Sequence, residues 1–135
     1  MEILELRTHR ASELVDVTRR VQEVVDRSGV TAGIAVVQSL HTTAAVTINE
    51  NADPDVQHDL VAKLDRLAPR DEPFYRHGEG NSDSHLKTSW FGPSLTVIVD
   101  GGRLVLGRWQ GIYFCEFDGP REHRKVAVQV LSSER

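Results

Sequence analysis

Three of the six histidines in this sequence, His41, His77 and His85, fall where strands and helices are expected to end. Each has hydroxyl, amide or carboxylate residues beside it. Imidazole titrates near neutral pH and ligates divalent metals. Gathered together with carboxylates, these rings would make either a metal site or an acid–base site. His41 opens the run His41-Thr42-Thr43, while His77 and His85 bracket Gly78-Glu79-Gly80-Asn81-Ser82-Asp83-Ser84. The two glycines in that run permit a loop that passes close to a ligand. Asn81, Ser82 and Asp83 can cap a following helix, whose free N–H groups favour an anion. His85 and Lys87 would then emerge near the same ligand. A plain capping loop with two solvated histidines calls for the same residue types.

Two further segments could contribute chemistry. Asn49-Glu50-Asn51-Ala52-Asp53-Pro54-Asp55 places three acids and two amides within seven residues, an oxygen-rich set of the kind hard cations prefer. Asp53 and Asp55 serve equally well in an ordinary strand-to-helix junction with an aspartate N-cap. In Gly107-Arg108-Trp109-Gln110-Gly111-Ile112 the flanking glycines suggest a bulge or a close approach to another backbone or ligand. Trp109 is expected in the core, and Gln110 would need a buried partner if it pointed inward.

The elements that must position these groups follow from periodicity. Leu4, Leu6 and Thr8 alternate with charged residues as in a strand, and residues 13–16 suggest a second. Val17, Val21, Val24 and Val25 recur at helical spacing before Ser28-Gly29. Residues 34–37 and 46–49 are strand-like. Asp53-Pro54 opens a helix with the apolar stripe Val56, Leu60, Leu64 and Leu67, stopped by Pro69. A short helix from Asn81 or Ser82 to Phe91 puts His85 and Ser89 on one face. Strand signals follow at 95–99, 104–106, 109–117 and 126–130, with a hairpin turn at Asp100-Gly101-Gly102-Arg103. Helices scattered among hairpin-connected strands indicate an α+β fold, expected as a single domain over residues 1–135.

The bulk properties narrow the function classes. A net charge of −4 gives no basic field for nucleic acid or anionic lipid, and 6% aromatic residues offer few stacking platforms. No apolar run approaches the ~20 residues that span a bilayer, and no signal peptide is evident, so a cytoplasmic protein without membrane contact is expected. The single cysteine, Cys115, lies in an apolar strand and is expected to be a packed thiol rather than a nucleophile.

The segments His41–Leu60, His77–Ser94, Gly107–Ile112 and Cys115–Arg121 together resemble the YjbQ-like family, in order and over most of the chain. The resemblance implies a small α+β domain with orthogonally packed, mostly antiparallel sheets and two to three helices, assembled as a homotrimer. It implies a polar pocket at His41, Thr42, Glu50, Asp53, His77, Glu79, Asp83, His85, Lys87 and Gln110, joined by Asn81 at the helix start. Within that pocket the expected catalytic groups are His41, Glu50, His85 and Lys87. Thr42, Asp53, Glu79, Asn81, Asp83 and Gln110 are expected to bind a small phosphorylated substrate, and His41, His77 and His85 to ligate a metal. Arg108, Ser82 and Ser84 depart from the family pattern and alter the pocket rim.

The activity the resemblance implies is that of a transferase, a secondary thiamine-phosphate synthase. It joins a hydroxymethylpyrimidine diphosphate to a thiazole phosphate and releases pyrophosphate. Magnesium would suit the leaving diphosphate, whereas three imidazoles suit zinc or another transition metal. Two alternatives share the pocket: a metal-dependent hydrolase or lyase of another phosphorylated metabolite, and a non-catalytic trimeric protein that holds a small anion.

Overall fold

The computed structural model describes residues 1–134. Strands β1 (Glu2–Leu6) and β2 (Glu13–Asp16) precede helix α1 (Thr18–Ser28), followed by β3 (Ala32–Ser39) and β4 (Ala44–Glu50). Helices α2 (Pro54–Leu67) and α3 (Ser82–Phe91) come next, then β5 (Ser94–Asp100), β6 (Arg103–Leu104), β7 (Gln110–Glu116) and β8 (Arg124–Ser132). One sheet has five strands in the order β1-β8-β3-β5-β6 and the other three in the order β2-β7-β4. Every pairing is antiparallel. The fold is the expected α+β.

Local chemistry explains the helix boundaries. The Asp16 carboxylate accepts from the Thr18 N–H at 2.9 Å, and Gly29 ends α1 in the left-handed region. Asp53 accepts from the Asp55 N–H at 2.9 Å and Pro54 occupies the first turn of α2, as the sequence suggests. Gly33 interrupts the aliphatic run of β3 because a Cβ there would lie 1.9 Å from the Leu131 carbonyl oxygen on β8.

The main core fills the space between the two sheets and α1. Val37, Val97, Val126 and Val128 of the large sheet meet Val46, Ile112 and Phe114 of the small sheet, and Val21 and Val24 of α1. The reverse face of the small sheet carries Ala45, Tyr113, Cys115 and Phe117 under Leu64 of α2 and Phe91 of α3. The small sheet is thus an inner layer, with helices on one side and the large sheet on the other. Cys115 is fully buried and burial pushes its thiol pKa up, which leaves an inert thiol as expected.

Two packing expectations fail. Leu67, placed on the buried stripe of α2, is 58% exposed, because only Leu64 of that helix reaches the sheet completely. Trp109, expected in the core, is 53% exposed. The turn before β7 carries it outward, and the Arg108 guanidinium lies 4.7 Å over its ring. Among the described residues, no helix is long and apolar enough to cross a membrane.

Candidate functional site

Helix α3 and the loop before it present the histidines. Asn81 precedes the helix, but its side chain makes no capping hydrogen bond; its Nδ2 donates to the buried Asp118 carboxylate at 2.9 Å. Ser84 Oγ donates to the Phe117 carbonyl at 2.5 Å. These two bonds tie the first turn of α3 to the end of β7. His85 and Ser89 share the outward face, as expected, and the Ser89 hydroxyl donates to the His85 carbonyl. The His77 ring meets the His85 ring edge to face, with centroids 5.3 Å apart. They open onto a surface cavity of about 550 Å³ lined also by Phe74, Tyr75, Ser82 and Leu86. Neither ring makes a hydrogen bond among the described residues, and the Glu79 carboxylate stands 4.0 Å from His77 Nε2.

Lys87 does not share this cavity. Two residues along a helix turn about 200°, so Lys87 faces inward where His85 faces outward. Its side chain is 2% exposed, and its ammonium bridges Asp65 at 2.7 Å and Asp83 at 3.3 Å. The expectation that His85 and Lys87 emerge together is therefore corrected.

His41 lies just before β4, beside a buried ion pair. Arg124 donates to Glu116 from Nε at 2.8 Å and from Nη2 at 2.5 Å, and Nη2 also donates to Thr43 Oγ1 at 2.9 Å. Thr8 and the Asp118 N–H complete the Glu116 carboxylate. Burial pushes the Glu116 pKa up, but the Arg124, Asp118 and Thr8 hydrogen bonds prevail and hold it below the ordinary value. His41 Nε2 accepts from the Lys125 N–H at 2.8 Å, so the ring is neutral there. Burial, then the Arg124 charge, hold its pKa below the usual imidazole value. Sequence reasoning missed this network; its one signal was a glutamate inside the apolar run Ile112–Phe117.

Glu50 and Gln110 occupy the other end of the small sheet. They pair across β4 and β7, six residues from the Ala44–Glu116 pair next to His41. At ~3.3 Å per residue, the two ends lie about 20 Å apart. Gln110 is exposed, and its Oε1 accepts the Gly107 N–H at 2.7 Å, closing the turn that presents Trp109. A Cβ at Gly111 would lie 2.7 Å from the Asn51 amide, so the expected close approach is to a neighbouring side chain. Thr42 and Asp53 are exposed, Thr42 beside His41 and Asp53 at the far end before α2.

With this geometry in place, residues 2–133 match the protein family described as UPF0047 protein YjbQ-like. The chain belongs to the YjbQ-like family. It is 49% identical over 121 residues to the UPF0047 protein YugU of Bacillus subtilis, covering 90% of this chain and 92% of that protein. It is 46% identical over 130 residues to a UPF0047 protein of Methanocaldococcus jannaschii, covering 96% and 93%. A crystal structure from Clostridium acetobutylicum superposes with a TM-score of 0.94 at 49% identity, covering 97% of this chain and 100% of that one. A protein from Sulfolobus solfataricus P2 gives 0.93 at 31% identity, covering 98% and 96%.

These YjbQ-like relatives correct the implied activity. They carry UPF0047 designations, and the two solved relatives are described as uncharacterized and as of unknown function. Thiamine-phosphate synthesis therefore has no support from the relatives, and neither does the hydrolase, lyase or anion-holding alternative. What this YjbQ-like chain offers is a set of side chains. Among the described residues, no three His, Cys, Asp or Glu side chains are grouped to hold a metal ion. The His77–His85 pair supplies two donors of the four that a tetrahedral transition-metal site needs.

Proposed function

We propose that this YjbQ-like protein binds a divalent transition metal, zinc or a similar ion, at the His77–His85 pair, and that the site is completed where copies of the chain meet. The observation that carries the reading is the pair itself. Two imidazoles stand in contact at an open cavity, with no hydrogen bond among the described residues to occupy their ring nitrogens. By contrast, His41 and His58 are each engaged by a protein partner. The Glu79 carboxylate, 4.0 Å from His77 Nε2, is a further donor beside the pair.

Self-association supplies the rest of the reading. Phe74, 72% exposed, and Leu86 flank the cavity, an apolar surround that a second copy would bury. The family resemblance implies a trimer, a closed ring in which such a surround is shared between copies.

Sedimentation equilibrium together with metal titration tests both parts. A trimer that takes up zinc or cobalt, with uptake lost in His77→Ala, supports the reading. A monomer that binds no transition metal refutes it.

A further inference from the structure

The outer face of the five-stranded sheet has no layer over it. The main core lies against its inner face, and α2 and α3 pack beyond the small sheet. Side chains alternate along each strand, so the register shows which of them share the open face. Ile34 pairs with Leu131 on β8 and with Ile98 on β5, and the Val105 N–H donates to the Ile98 carbonyl at 2.8 Å. Leu131, Ile34, Ile98 and Val105 therefore form one aliphatic row from β8 to the end of β6. All four are exposed, Ile98 by 61%.

The two rows beside it carry no charge either: Gln129, Val36 and Thr96, then Ile3, Ala127, Gln38 and Ser94. Charges enter at the strand ends, and there in balanced pairs. Glu5 lies opposite Lys125 at one end and Asp100 opposite Arg103 at the other. The solvent face of an antiparallel sheet is ordinarily its polar one, and 27% of this chain is charged. A charge-free centre inside a charged rim is instead the composition of an interface between proteins. The rim is neutral although the chain carries −4, so two copies meet here without net repulsion.

We infer that this face packs against the same face of a second copy across a two-fold axis, sheet on sheet. Strands ~4.8 Å apart with ~3.3 Å per residue give a plane of roughly 500 Å² per copy. Side-chain relief adds to that plane and brings the contact to the low end of specific interfaces, about 600 Å² per partner. Pairing should accordingly depend on concentration. The histidine cavity opens on the opposite, helix side of the molecule. Joining opposite sides head to tail stacks copies in an open line, whereas this face against its own counterpart closes at two. The contact is therefore separate from the metal reading, and added to a ring of three it gives six copies.

Sedimentation equilibrium over a wide range of protein concentration tests the inference. The wild type should reach an even number of copies, two or six, at the highest concentration. Ile98→Lys and Val105→Lys, both at exposed side chains, should each halve that number with the far-ultraviolet circular dichroism unchanged. His77→Ala should leave the number even, whatever it does to metal uptake. A wild type that stops at one or three copies would overturn the inference. So would Ile98→Lys and Val105→Lys variants that keep the wild-type mass.

Discussion

Arg124 holds Glu116 through two parallel contacts, at 2.8 and 2.5 Å, with both side chains buried at the end of the small sheet. Removing one partner leaves the other charge uncompensated in the interior. Arg124→Met is expected to lower the unfolding free energy by about 3–5 kcal/mol, read from urea denaturation. A loss below about 1 kcal/mol, typical of an exposed pair, would mean that water reaches the carboxylate. The Glu116 pKa is lower folded than unfolded, so the stabilisation is complete above the ordinary value of 4.5 and is lost as pH falls through the folded value. Glu116→Gln should accordingly flatten the acid limb of the stability profile.

His41 gives a second pH response. Protonation of Nε2 removes the acceptor of the Lys125 N–H. Burial and then Arg124 set the folded pKa below 6.5, so the unfolded chain takes up the proton first. Stability from this contact is complete above that pH and declines as pH falls below it. In an NMR titration, the Lys125 amide and the His41 ring should shift together, with a midpoint below 6.5. A midpoint at or above it would contradict the burial assigned to the ring.

Glycine substitutions separate close approach from mere loop character. Gly33→Ala drives a Cβ into the Leu131 carbonyl on β8, which must move. The expected cost is about 1–3 kcal/mol or more. Gly78→Ala meets nothing within 4 Å and should change stability by less than about 0.5 kcal/mol. Equal effects in thermal unfolding would show that β3 and β8 are not so close.

Much of the fold was legible because its signals are local. The Asp53-Pro54 helix start, the Gly29 stop and the alternation in β5 depend on neighbours within a few residues, and each appears as expected. Helical facing is legible for His85 and Ser89, and the inward turn of Lys87 follows from the same 100° step. Packing depth was not legible. Leu67 and Trp109 are exposed because distant segments leave them uncovered, and periodicity does not say which face a partner reaches. The candidate site was legible as residue types, not as one pocket. His41 and Glu50 are nine residues apart in sequence, yet β4 carries them to opposite ends of a sheet.

Visible absorption of the cobalt-loaded protein tests the central claim most directly. Wild-type protein titrated with Co²⁺ should develop the intense bands of a tetrahedral site with nitrogen ligands, saturating at a fixed ratio to chain. His77→Ala and His85→Ala should each abolish those bands without changing thermal unfolding, since His77 is exposed and neither ring makes a hydrogen bond among the described residues. Bands of equal strength in the His77→Ala/His85→Ala double variant, or none in the wild type, would contradict a metal site at this pair.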